Sequence, residues 1–182
     1  MKRDSKSAGK VLVYTGNGKG KTTASFGLAA RALGRDFKVI ILQFIKSPDR
    51  TYGEQISLEK LGAEVYQLGI GFTWTKTPEE HRQSLKQAWE FAKEKLNSEE
   101  YDLVIFDELN NALSIDSFPI DDVLPLDDVI QTIKNKPFKT HVVVTGRDAK
   151  QEMKDIADLV SIIEEEKHYY QEGVDAIYGI EY

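Results

Sequence analysis

The sequence contains no cysteine. That removes disulfides, thiolate-held zinc, iron–sulfur clusters and cysteine nucleophiles together, so any redox step falls to a ligand or a partner. No apolar run approaches the ~20 residues that span a bilayer, so no membrane association is expected. The opening residues are polar and basic with no hydrophobic segment after them. A secretory signal is therefore not expected, and the cytoplasm is the default address. Positive charge is in deficit: 24 Lys and Arg against 30 Asp and Glu leave a formal net charge of −6. An acidic chain is a poor general nucleic-acid binder, although a local basic groove is compatible with it. The three histidines, His81, His141 and His168, have no metal-ligand spacing. No repeat, low-complexity tract or linker divides the 182 residues. One domain over 1–182 is expected, with residues 1–9 as a flexible lead-in.

What the chain does have is a glycine-rich loop. Gly16-Asn17-Gly18-Lys19-Gly20-Lys21-Thr22-Thr23 follows the apolar run Val11–Tyr14 and opens onto the helical pattern of Ala24–Arg31. Strand, glycine turn and helix are the context in which a phosphate-binding loop is credible. Glycines let successive backbone N–H groups converge, the helix N-terminus adds its positive end, and Lys21 supplies a full charge. A nucleoside triphosphate is the expected ligand. The loop departs from G-x-x-x-x-G-K-[ST], because the position of the usual first glycine holds Thr15 and the glycine falls one place later, at Gly16. A shorter loop has different curvature and fewer N–H groups, so the phosphates need not run in the usual direction.

Short apolar runs alternate with helical patterns along the rest of the chain, the signature of a parallel α/β sheet. Strands are expected at Val11–Tyr14, Val39–Phe44, Glu64–Leu68, Leu103–Phe106, His141–Val144 and Leu159–Ile163. Helices are expected over Thr22–Leu33 (stopping at Gly34), from Thr77, over Asp127–Lys136 and over Ala149–Asp158 with Asp148 as its cap. Thr77-Pro78-Glu79-Glu80 reads as a capping box with proline in the first turn. Leu85, Ala88, Trp89, Ala92 and Leu96 then follow at helical spacing, which places Trp89 in the core. The fold class is α/β, a P-loop NTPase-like (RecA-like), mostly parallel sheet flanked by helices, and ligands in such sheets sit at the carboxyl ends of the strands.

At those ends lie the unusual residues. Leu103–Phe106 runs into Asp107-Glu108, which next to a phosphate loop is the pattern that orders Mg²⁺, with Thr22 as a further ligand. A helix N-terminus that favours acids would leave the same pattern. Gly69-Ile70-Gly71-Phe72-Thr73-Trp74-Thr75 places two aromatics in a pliable loop. They read either as a platform for something flat and apolar or as rings folded over the sheet edge. Lys46 and Arg147 follow two other strands, placed to meet phosphate or ligand carboxylates, or to stay in solvent.

Together, T-G-N-G-K-G-K-T-T, A-A-R-A-L-G, Q-F-I-K, Y-G-E, G-F-T-W, F-D-E-L, V-V-V-T-G-R and the closing K-H…G-V-D-A-I-Y-G-I-E-Y resemble the ATP:corrinoid adenosyltransferases of the CobA/BtuR type, in order over Val11–Tyr182. The resemblance implies attack of cob(I)alamin, or a related cob(I)yrinic acid diamide, on the 5′-carbon of ATP, with release of tripolyphosphate. It implies nucleotide binding by Gly16, Asn17, Gly18, Lys19, Gly20, Lys21, Thr22, Thr23 and Arg31. Lys21 would stabilise the departing triphosphate, and Thr22, Glu108 and Asp107 would hold Mg²⁺, or Mn²⁺ in its place. Phe72 and Trp74 match the loop that displaces the corrinoid's lower axial ligand and eases reduction to cobalt(I). An external flavin or flavodoxin-type reductant and a homodimer are implied as well. Ser47 stands where the family usually has glycine. The stretch before the first strand is shorter than in members with an N-terminal helix over the corrinoid, so a more open site or a covering partner is expected. Two other classes fit the loop alone: a P-loop ATPase or kinase cleaving the terminal phosphate, and a non-catalytic nucleotide-dependent corrinoid-binding module.

Overall fold

A computed structural model describes residues 7–71 and 76–181. Six strands form one sheet, β1 (Val11–Thr15), β2 (Val39–Gln43), β3 (Glu64–Gln67), β4 (Leu103–Asp107), β5 (His141–Thr145) and β6 (Leu159–Ile162), in the order β3-β2-β4-β5-β1-β6. Every pairing is parallel. β2 and β4 are buried along their whole length, which is why they read as unbroken apolar runs rather than alternating ones. All six strands lie where the apolar runs predict them, with ends shifted by a residue at most.

Helices cover both faces. On one, α1 (Lys21–Leu33) lays Phe26, Ala29 and Ala32 against Ile41, Ile105 and Val143. On the other, α3 (Pro78–Asn97) packs the expected stripe, Leu85, Ala88, Trp89, Ala92 and Leu96, against Ile40, Leu42, Val104 and Phe106. Trp89 is 1% exposed, and its indole N–H donates to Asp128 at 2.7 Å. The capping box forms as the sequence predicts: Thr77 Oγ1 accepts from Glu80 N–H, and the Glu80 carboxylate accepts from Thr77 N–H at 2.8 Å. A short α4 (Leu109–Ala112) and α5 (Leu126–Lys134) precede β5, and α6 (Gln151–Asp155) precedes β6.

One element is unanticipated and one expectation is corrected. Helix α2 (Gly53–Lys60) has no counterpart in the sequence reading, because only Leu58 of its residues is buried and the segment lacks an apolar stripe. Asp148 does not cap α6: it sits at φ 52, and the capping position belongs to Lys150, with no side-chain bond. The helix is accordingly shorter than Ala149–Asp158. No helix among the described residues is long and apolar enough to cross a membrane.

Candidate active site

The site grows from the carboxyl edge of the sheet. The four central strands end in polar residues that are nonetheless buried: Thr15, Gln43, Asp107 and Thr145. Gln43 and Asp107 are register partners, as are Tyr14 and Thr145, so the four converge beneath the glycine loop. Asp107, fully buried, ties them together. Its Oδ1 accepts from Thr22 Oγ1 at 2.9 Å and Thr145 Oγ1 at 2.8 Å, and its Oδ2 accepts from Gln43 Nε2 at 3.0 Å. Lys46 Nζ stands 3.7 Å from the same Oδ2. A carboxylate buried without such donors would be costly, and here both oxygens accept hydrogen bonds with the Lys46 charge close by.

Lys46 is itself enclosed, pairing with Glu54 Oε1 at 3.2 Å and lying 4.4 Å from the Tyr52 ring centroid. Burial works against its charge, but Asp107 and Glu54 outweigh that, and its pKa rises. α2 thus contributes Glu54 to the site, through the helix that the sequence pattern concealed.

Glu108 differs from its neighbour. Its backbone turns at φ 62, its N–H donates to Thr145 Oγ1 at 2.9 Å, and its carboxylate has no hydrogen-bond partner among the described residues. Burial, aided by the charge of Asp107, pushes its pKa from 4.5 up to about 7. Lys46, Arg147 and Lys21 pull in the opposite direction without cancelling it.

The loop above is tightly built. Gly16 (φ 101) faces the backbone of Ile163 so closely that an added Cβ would lie 2.4 Å from its carbonyl oxygen. Gly18 faces Glu164 in the same way at 2.5 Å. The Gly18 N–H donates to Ile163 O at 2.8 Å, so one loop amide is engaged inside the protein. Lys21 Nζ donates to the carbonyls of Gly16 (2.7 Å) and Gly18 (2.6 Å), folding its ammonium into the loop. Burial and the charge of Arg147 lower its pKa. The end of α1 completes the cradle, with Gly20 at φ 115 in the N-cap position. Asn17, Lys19 and Thr23 are exposed along the rim.

The structure brings together Gly16, Gly18, Gly20, Lys21, Thr22, Asp107 and Glu108. Arg31 stands apart in the exposed last turn of α1, about 15 Å along the axis from Lys21 at 1.5 Å per residue. Phe72 and Trp74 lie outside the described residues. The chain leading to them, Gly69–Gly71, borders a small cavity shared with Phe44, Ile45, His81 and Leu85. Sequence reasoning overlooked Gln43, Thr145 and Glu54. The signal available for the first two was an apolar run ending in a polar residue at the sheet's carboxyl edge.

A divalent cation fits this donor set. Thr22, Asp107 and Glu108 offer only oxygen, the preference of Mg²⁺ and Mn²⁺. Among the described residues no group of three or more His, Asp or Glu side chains gathers around a point. The protein would therefore supply few of the ligands, the rest coming from phosphate and water, as Mg²⁺ commonly requires.

The fold is similar to that of a solved structure of the RadB recombinase, at a TM-score of 0.50 and 16% identity over 87% of this chain and 76% of that one. That likeness places the sheet among P-loop NTPase-like, RecA-like folds. The corrinoid adenosyltransferase of Escherichia coli K12 is 39% identical over 175 residues, 96% of this chain and 86% of the relative. The Salmonella typhimurium corrinoid adenosyltransferase CobA is 39% identical over 175 residues, again 96% of this chain and 86% of the relative. That of Pseudomonas aeruginosa is 40% identical over 178 residues, 96% and 84% of the two chains. The family model described as ATP:corrinoid adenosyltransferase BtuR/CobO/CobP matches residues 7–182, and with a shortened phosphate loop set over a Thr22–Asp107 tie, the chain belongs to that family.

Proposed function

We propose that this protein transfers the 5′-deoxyadenosyl group of ATP to cob(I)alamin or a related cob(I)yrinic acid diamide. Cobalt(I), as substrate, attacks the 5′-carbon with an electron pair, the cobalt–carbon bond forms, and the C5′–O bond breaks with its pair leaving on tripolyphosphate. The nucleophile carries no proton, so no general base is needed. The observation that carries the reading is the loop, which gathers Lys21, the glycine-rich backbone and the end of α1 around one point where negative charge would collect. Such preorganised charge acts most strongly on a leaving group whose charge grows in the transition state.

Lys21 turns from the Gly16 and Gly18 carbonyls to the triphosphate when that ligand arrives, with Gly20, Asn17, Lys19 and Thr23 around it. Thr22 and Glu108 are the side chains that would hold Mg²⁺. Asp107, which already accepts from Thr22, Thr145 and Gln43, fixes Thr22 in place from behind. A bound Mg²⁺ would supply charge neutralisation on the phosphates. Phe72 and Trp74 are proposed to displace the corrinoid's lower axial ligand. The reductant is an external flavin or flavodoxin-type donor, consistent with a chain without cysteine. A single domain, a cytoplasmic location and a homodimer belong to the same proposal.

The test is anaerobic: protein, ATP, Mg²⁺ and chemically reduced cob(I)alamin, with the corrinoid spectrum followed and the phosphate product identified. Light-sensitive adenosylcobalamin with stoichiometric tripolyphosphate is the expected result. Unchanged corrinoid with ADP and phosphate would instead mean terminal-phosphate cleavage, and no product at all would mean a binding module.

A further inference from the structure

The closing K-H…G-I-E-Y segment has no role in the proposed transfer, whereas the exposed Lys19 stands on the rim of the triphosphate loop. The structure joins them. The Lys19 ammonium pairs with the Glu181 carboxylate and lies 3.5 Å from the Ile180 carbonyl oxygen. The other Glu181 oxygen accepts from the Tyr169 hydroxyl. Local structure presents both groups. His168 caps a 3₁₀ turn over Tyr169–Glu172 by accepting from Tyr170 N–H at 3.1 Å. Glu181 N–H donates to Ile177 O at 2.8 Å, closing a turn beneath its side chain. The segment is rooted at Ile163, which bonds Thr15 and Gly18, but beyond that its large residues face outward: Tyr170, Tyr178 and Ile180 are exposed. A stretch with so little buried apolar area belongs to the easily opened part of a fold.

An ammonium and a phenol meeting one carboxylate make the contacts that a phosphate oxygen would also accept. We propose that Glu181 is a positioning residue standing in for a phosphate oxygen on Lys19, and that a bound polyphosphate displaces it and frees the 169–181 end from the loop. This rests on the reading of the glycine loop as the triphosphate site. The consequence is a coupling: a polyphosphate in the loop and the seated tail exclude one another, so releasing tripolyphosphate is assisted by Glu181 returning to Lys19.

The probe is inorganic tripolyphosphate titrated calorimetrically into the full chain. Glu181→Gln should bind it about 2- to 5-fold more tightly, the range set by a partly exposed ion pair. Tyr169→Phe should act in the same direction and less strongly, since Lys19 still holds the carboxylate. In a Lys19→Gln background, Glu181→Gln should change nothing, whereas simple removal of a nearby negative charge would tighten binding in both backgrounds. Saturating tripolyphosphate should also speed tryptic cleavage after Lys167 in the wild type. Unchanged or weaker binding by Glu181→Gln, an equal gain without Lys19, or cleavage unaffected by ligand would each overturn the inference while leaving the transfer reaction intact. A wild type that binds neither tripolyphosphate nor ATP would overturn the loop reading and this inference with it.

Discussion

Three glycines of the phosphate loop are required for two physical reasons, acting singly at two of them and together at the third, and alanine substitution separates them. At Gly18 the obstacle is contact. A Cβ would lie 2.5 Å from the Glu164 carbonyl carbon, 2.7 Å from its oxygen and 2.9 Å from Glu165 N, all backbone atoms that cannot rotate away. Overpacking of this kind costs about 1–3 kcal/mol. Parting the two segments also stretches the 2.8 Å bond from Gly18 N–H to Ile163 O, worth about 1 kcal/mol more. At Gly20 nothing lies within 4 Å of the added carbon, and only the backbone at φ 115 resists, at about 1–2 kcal/mol. Gly16 suffers both, with φ 101 and a contact of 2.4 Å to Ile163 O, and should lose about 2–5 kcal/mol. Urea unfolding with a common slope measures the order directly. The expected ranking of losses is Gly16→Ala, then Gly18→Ala, then Gly20→Ala. Cleavage after Lys167 should accelerate in the first two but not in the third. A Gly18→Ala protein that unfolds at the wild-type midpoint, or that loses less than Gly20→Ala, refutes the claim that residues 163–165 close the loop.

Glu108→Gln tests the raised carboxyl in metal-free, chelator-treated protein. With the folded value near 7 and the unfolded value at 4.5, the folded chain binds the extra proton between them, so this group's contribution to stability falls as pH rises through that window. The variant should match wild type near pH 4 and exceed it by up to about 3 kcal/mol at pH 8, read from urea midpoints; a difference independent of pH would contradict the burial argument. Trp74→Ala should slow adenosylation from cob(II)alamin far more than from chemically supplied cob(I)alamin, and equal losses with both would remove the ligand-displacement role.

Much of this was legible in the residues. The buried strands announced themselves because a parallel sheet covered on both faces needs uninterrupted apolar runs, as Val39–Leu42 and Leu103–Phe106 are. The capping box and the Trp89 stripe were equally readable, being local rules of sequence spacing. Asp107 and Glu108 stood out as acids after such a run, but their different fates did not. Which one is tied down by hydrogen bonds depends on Gln43 and Thr145, which reach it only through strand pairing. Helix α2 was hidden because it buries one residue and relies on its neighbours. The contact of Lys19 with Glu181 spans 162 positions, beyond any local pattern.

That separation bears on how the molecule assembles. The loop that begins at Gly16 takes its shape from Ile163 and Glu164, so residues 11–22 cannot adopt their final conformation when they leave the ribosome. They must wait for nearly the whole sheet, and then for β6 at its edge. Closing so long a loop is slow because its entropy must be overcome before the contact rewards it. The nucleotide pocket is therefore among the last parts to form, and a nascent chain halted before residue 163 would carry the phosphate-loop sequence without its phosphate-loop shape.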